Sequence, residues 1–158
     1  MKLFLKQEVW TFADRFYVYD QDGNVLFQVQ GEVFTLGKKL HICSCEGEEL
    51  AYIRQELLTF LPRFNVAIDG VDVAQVVKEW SFLKPEYRVD GPDWRVHGEF
   101  WAHDYQIVKG NFLIAAISKH WFTWGDTYEI DVTDDADALA ALAVVLSIDA
   151  VLQQQSNS

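Results

Sequence analysis

The stretch from Asp134 to Leu152 limits the fold more than any other part of this 158-residue chain. It opens on Asp134-Asp135-Ala136-Asp137 and runs on through Ala138-Leu139-Ala140-Ala141-Leu142-Ala143-Val144-Val145-Leu146 to Ser147-Ile148-Asp149-Ala150-Val151-Leu152. Ala and Leu are strong helix formers, and no Gly or Pro interrupts them. Asp134 is placed to cap the first turn, and Asp137 lies three residues on, where acids suit the positive end of the helix dipole. The apolar residues form no stripe, so the helix must be enclosed by its own protein or by lipid. A span needs roughly 20 apolar residues. Here nine follow one another, Asp137, Ser147 and Asp149 break the longer run, and no Lys or Arg anchors either flank. A mid-helix aspartate costs about 2.5–3.5 kcal/mol on insertion. The sequence therefore predicts no transmembrane span, but a helix wrapped in the chain's own strands.

The rest of the chain supplies those strands. Turn signals recur at Asp20-Gln21-Asp22-Gly23-Asn24, Glu46-Gly47, Asp69-Gly70, Asp90-Gly91-Pro92, Lys109-Gly110-Asn111 and Gly125-Asp126. Asp-Gly favours hairpins because Gly accepts a positive φ. Between the turns lie β-branched and aromatic runs such as Phe16-Tyr17-Val18-Tyr19 and Tyr105-Gln106-Ile107-Val108.

The chain also repeats itself. Counting from Gly23, Gly47 and Gly70, a β-branched residue falls six on (Val29, Ile53, Val76) and an acid nine on (Glu32, Glu56, Glu79). An apolar residue falls nineteen on (Ile42, Val66, Val89), and a looser fourth copy begins near Gly110. Each unit reads as turn, strand, bend and strand, a pair that buries nothing alone and must join a shared sheet. Ten to twelve short antiparallel strands with local connections can close on themselves and so remove their edges. A barrel of that size has room for a helix along its axis. The expected fold is mostly β (α+β): a closed antiparallel β-barrel around a central hydrophobic C-terminal helix. A β-sandwich with the helix outside would leave half of that helix wet. Residues 1–152 are expected to form this single domain, with 153–158 a disordered tail.

Composition bounds the function. The net charge of −11 is uneven: beyond Lys119 there is no Lys or Arg, but seven acids from Asp126 to Asp149. Such a balance excludes nucleic acid as a general partner. Leu3-Phe4-Leu5 is too short an apolar run for a signal peptide. Cys43 and Cys45 would share a strand face, poor geometry for a disulfide, and read as reduced thiols of a cytoplasmic protein.

Several segments resemble the LURP-one-related family: Lys6-Gln7-Glu8-Val9 with Phe12-Ala13-Asp14-Arg15-Phe16, Gly31-Glu32-Val33-Phe34 with Gly37-Lys38-Lys39-Leu40-His41-Ile42, Gly47 to Ile53 with Pro62-Arg63-Phe64, and the closing helix with Ser147-Ile148-Asp149-Ala150. That family groups with the Tubby C-terminal domains and the phospholipid scramblases. The resemblance implies a barrel of about twelve strands around a hydrophobic helix, phosphoinositide binding as in Tubby, or calcium-linked lipid traffic as in the scramblases. A scramblase's Pro- and Cys-rich leader and membrane-ending tail have no counterpart here.

No catalytic motif emerges. The Asp131–Asp137 cluster fails the EF-hand pattern, with Ala136 where Gly is needed and Leu142 where Glu is. It reads instead as a helix start, with Asp134 and Asp137 structural. Asp149, an acid in an apolar helix, is expected to hydrogen-bond and anchor the helix or else to be protonated. His41, His97, His103 and His120 show no metal-ligand spacing, although His97 and His103 would share a face on one uninterrupted strand. No cofactor or metal is expected. For an anionic ligand the candidates are Lys38, Lys39 and Arg63, the last two sixteen residues after their repeat glycines and so expected at one rim. Two functions follow: binding a phosphoinositide-like or other anionic phospholipid headgroup at a membrane periphery, or contacting another protein through exposed aromatics such as some of Trp10, Trp94, Trp101 and Trp124.

Overall fold

A computed structural model describes residues 1–6, 15–33, 35–122 and 125–156. Twelve antiparallel strands close into one barrel, each paired with its sequence neighbour and β1 with β12. They are β1 (Lys2–Lys6), β2 (Arg15–Tyr19), β3 (Val25–Gly31), β4 (Lys39–Cys43), β5 (Glu49–Gln55), β6 (Arg63–Ile68), β7 (Val71–Ser81), β8 (Lys84–Asp90), β9 (Trp94–Glu99), β10 (Asp104–Lys109), β11 (Phe112–Phe122) and β12 (Gly125–Val132). A 3-10 turn, Asp135–Asp137, leads into the helix α1, Ala138–Ser156. The barrel and its central helix are as the patterning implied.

Every repeat does the same job in space. Gly23, Gly47, Gly70 and Gly110 all adopt positive φ in the tight turns. Val29, Ile53 and Val76 point inward and are sealed from water, as are Ile42, Val66 and Val89. Just before each turn the register slips, at Val18/Tyr19, Ile42/Cys43, Val66/Ala67 and Ile107/Val108. A bulge bends and twists its strand, so one bulge per repeat gives the curl that closes the sheet. The acid nine residues after each glycine reaches the residue nine further on, on the outer face of the next strand. Glu32 bonds His41 at 2.9 Å, Glu56 accepts from Asn65 at 2.9 Å, and Glu79 accepts from Arg88. The repeat thus carries an outer polar ladder as well as an inner apolar one.

The helix fills the lumen. Ala138 and every residue from Ala141 to Leu152 are buried, while Leu139 and Ala140, within the stretch expected to be sealed, are half-buried near the entrance. Alternate strand residues meet it, among them Leu3, Leu40, Phe64, Tyr87, Ile107 and Ile130. No helix among the described residues is long and apolar enough to cross a membrane. The Asp134 side chain accepts from Ala136 N at 3.0 Å, so the cap falls on the 3-10 turn ahead of α1. Asp137 is in that same turn, its backbone N–H bonded to Asp134 O. At the far end α1 continues to Ser156, beyond the expected stop at Leu152. Gln154 exchanges side-chain hydrogen bonds with Gln55, and Gln153 accepts from Lys38.

Because connections alternate between ends, the barrel has two unlike mouths. The turn end carries the glycine hairpins and the entrance of α1. The loop end carries the connections 32–38, 56–62 and 82–83, the 3-10 turn Phe100–Ala102 and the C-terminus of α1.

Candidate functional site

Two places depart from a plain hydrophobic barrel. The first is inside it. Asp149 is 3% exposed, and the hydroxyl of Tyr128 donates to its Oδ2. Its Oδ1 lies 3.8 Å from His103 Nδ1, and the His103 ring stacks on Tyr128 with centroids 4.6 Å apart. Tyr105 and Tyr87 complete the surroundings, and among the described residues Tyr105 Oη finds no hydrogen-bond partner. Burial pushes the Asp149 carboxyl up to about 7, only partly opposed by the Tyr128 hydrogen bond. Burial and the Asp149 charge raise the Tyr128 and Tyr105 phenols well above their usual range. Asp149 thus bonds to the barrel wall through Tyr128, and its burial favours the protonated form.

His103 reaches this cluster because a turn intervenes where uninterrupted strand was the premise. The 3-10 turn Phe100–Ala102 and a left-handed His103 (φ 49) separate it from His97, so the two do not share a strand face. His103 turns inward and His97 stays outside. A single left-handed residue leaves no period in a sequence, so the partner of Asp149 had no readable signal.

The second place is the loop end. Lys39 and Arg63 open β4 and β6 there, at one rim, as their shared offset implied. Lys39 sits directly opposite Arg54 on β5, a residue the sequence reading missed. Arg54 in turn faces Asn65, which places Arg63 on the adjoining diagonal. Like charges directly opposite each other are destabilising in a sheet. Among the described residues no ion pair relieves Lys39, Arg54 or Arg63, and Arg63 Nε is buried without a hydrogen-bond partner. Glu56, the nearest acid of the ladder, accepts from Asn65 and Gln75 instead. Lys38 is different: its Nζ donates to Gln153 at 3.3 Å and so ties the rim to α1.

Apolar side chains stand out beside these cations. Leu36, Leu57, Leu58, Phe60, Phe82, Leu83 and Trp101 are exposed, all on loop-end connections. At the turn end exposed apolar residues are fewer, Val71 and Phe112 chief among them, and acids dominate: Asp20, Asp22, Glu46, Glu48, Asp69 and Asp93, then Asp134, Asp135 and Asp137. Of the four tryptophans from which exposed ones were expected, Trp94 faces the core at 4% exposure, because the alternation of β9 turns it inward with Val96. Trp101 is exposed, and Trp10 and Trp124 lie outside the described residues. Cys43 and Cys45 are free thiols. Among the described residues no three His, Cys, Asp or Glu side chains gather as a metal site would need.

A closed antiparallel barrel of twelve strands with a hydrophobic C-terminal helix through it is the class this fold defines. Comparison with known proteins narrows this. The chain belongs to the LURP-one-related (LOR) family, whose profile matches residues 1–149. It is 34% identical over 152 residues to uncharacterized protein YxjI of Bacillus subtilis (strain 168), covering 96% of this chain and 94% of that protein. Protein LURP-one-related 14 of Arabidopsis thaliana is 21% identical over 173 residues, covering 94% and 83%. An X-ray structure of a protein from Arabidopsis thaliana superposes with a TM-score of 0.60 at 19% identity, over 92% of this chain and 88% of that one, a likeness of fold.

Proposed function

We propose that this protein is a non-enzymatic, cytoplasmic module that docks peripherally on anionic membrane surfaces through the loop end of its barrel. The observation that carries the reading is the segregation of side chains: unpaired cations and exposed apolar residues share one mouth, and the acids crowd the other. Net charge argues against the reading, but distance removes most of that objection. The 19-residue helix is about 28 Å long at 1.5 Å per residue. The acidic mouth therefore stands roughly three screening lengths from a surface touched by the other mouth. Lys39, Arg54 and Arg63 would meet headgroup phosphates, at about 1 kcal/mol per basic residue near an anionic leaflet. Leu58, Phe60, Phe82 and Leu83 would enter the acyl boundary beside them, each contributing about 1.5–3 kcal/mol if fully buried.

Sedimentation with vesicles of stated composition tests this. Vesicles containing phosphatidylglycerol or a phosphoinositide should carry the protein down, and pure phosphatidylcholine should carry much less. Lys39→Ala/Arg54→Ala/Arg63→Ala should weaken binding about 100-fold, the equivalent of about 3 kcal/mol. Leu58→Ser/Phe60→Ser should weaken binding to both kinds of vesicle. Absence of sedimentation in every arm, with a stoichiometric protein recovered on Phe60 and Phe82, would replace the membrane with a protein partner.

A further inference from the structure

At the loop end, a cleft of about 410 Å³ opens between the β7–β8 hairpin and the Phe100–Ala102 turn, with Leu152 and Gln155 of α1 at its base. Its volume falls within the range of small-molecule sites. Lys78 lies in it and is 6% exposed. The alternation of β7 explains why: Val76 is in the core, Val77 and Glu79 face outward, and Lys78 takes the next inward position, opposite Tyr87. Its ammonium sits 5.7 Å from the centre of the Trp80 ring. Among the described residues no carboxylate pairs with it, and burial draws its pKa down. Glu79, its sequence neighbour, is engaged on the outside by Arg88 and Arg95.

A lysine side chain this deeply covered, with no counter-ion among the described residues, is a costly feature. Around it Trp80, Leu83 and Trp101 remain exposed, although each is large and apolar. A largely covered lysine ringed by uncovered apolar walls complements a ligand with one charged end and one greasy end. Lys84 adds a second cation at the lip, and Glu99 on the opposite wall disfavours a headgroup of high charge.

We propose that this cleft binds a single-chain amphiphile with one anionic headgroup, carboxylate or phosphate, the head on Lys78 and the chain along Trp80, Leu83 and Trp101. Such a site takes monomers one at a time and is separate from the outer strip of Lys39, Arg54 and Arg63. It stands whether or not the protein binds vesicles.

Titration below the micelle concentration with decanoate, decyl phosphate, decyl maltoside and inorganic phosphate tests it, read by calorimetry and by amide shifts at Gly98 and Trp101. At least one decyl anion should saturate at one per chain, and the stronger of the two names the headgroup. Decyl maltoside and inorganic phosphate should bind at least tenfold more weakly. Lys78→Met should weaken the anion at least tenfold without lowering the melting temperature, because the methionine fills the same inward position. Trp101→Ala, at an exposed position, should weaken it too, and Lys39→Ala/Arg54→Ala/Arg63→Ala should leave it unchanged. Equal binding of the maltoside, no saturable binding of either anion, or unchanged affinity in Lys78→Met would overturn the assignment. A fall in melting temperature with no anion binding in the native chain would make Lys78 a helix-end cation instead.

Discussion

Replacing Leu146 with alanine is expected to lower the stability of this protein by about 3–5 kcal/mol, the upper part of the range for buried leucines. Leu146 is fully buried near the middle of α1, where strands surround it on every side. A leucine on an ordinary amphipathic helix leaves a gap that neighbours can partly close. Here the neighbours belong to a hydrogen-bonded ring, and the ring cannot contract at one level without straining its pairing at the next. The cavity should therefore persist, and its lining loses contacts outright. Against a total stability of about 5–15 kcal/mol, the loss is large. Urea unfolding monitored by circular dichroism would measure it. Leu139→Ala, half-buried at the entrance of α1, should cost clearly less, and Leu58→Ala, on an exposed loop, should stay within about 0.5 kcal/mol of the native chain. Equal losses at Leu146 and Leu139 would mean that the wall does not confine the helix.

Stability should also fall as pH rises through neutrality, and Asp149 should be the cause. Its carboxyl ionises near 3.8 when the chain is unfolded and at about 7 when it is folded. Between these values the folded protein keeps a proton that the unfolded chain has released. The associated stability is complete below pH 4, declines as pH rises, and is gone once pH passes about 7. A gap of that width corresponds to roughly 4 kcal/mol. Tyr128, Tyr105, Tyr87 and His103 are the titratable groups that face it. Melting temperatures from pH 4 to 8.5 should show a decline of roughly 10 °C that Asp149→Asn abolishes. The difference between the two curves isolates Asp149 from every other titrating group. Tyr128→Phe removes the donor to the carboxylate, so its decline should begin at the same pH but extend to higher pH, together with a loss of about 1–3 kcal/mol for the orphaned acceptor. Parallel curves for the native chain and Asp149→Asn would show that the carboxylate is solvated after all.

These two residues mark how far the sequence could be read. Leu146 was legible because nine apolar residues in a row permit only an enclosed helix, whatever encloses it. The barrel was legible because the Gly23, Gly47 and Gly70 repeat dictates identical local pieces, and identical pieces with inward Val29, Ile53 and Val76 can share one lumen. The rim position of Lys39 and Arg63 followed from the same offset. Asp149 was legible as an anomaly and no further, since its partners Tyr128 and His103 come from distant strands and His103 is turned inward by one left-handed residue. Arg54 was missed because its meaning depends on lying across from Lys39, a matter of register. Lys78 was missed because a lysine in a strand reads as outward, and only the phase of β7 reveals that it points in.

Local chemistry and repetition, both written in the order of residues, determined the helix, the strands, the turns and the closed wall, because each depends on neighbours a few positions apart. Which charges face each other, which mouth is greasy and which acidic, and where Asp149 and Lys78 find themselves were decided only when the ring closed. Closure sets the register and phase of twelve strands together, and no segment carries that information by itself.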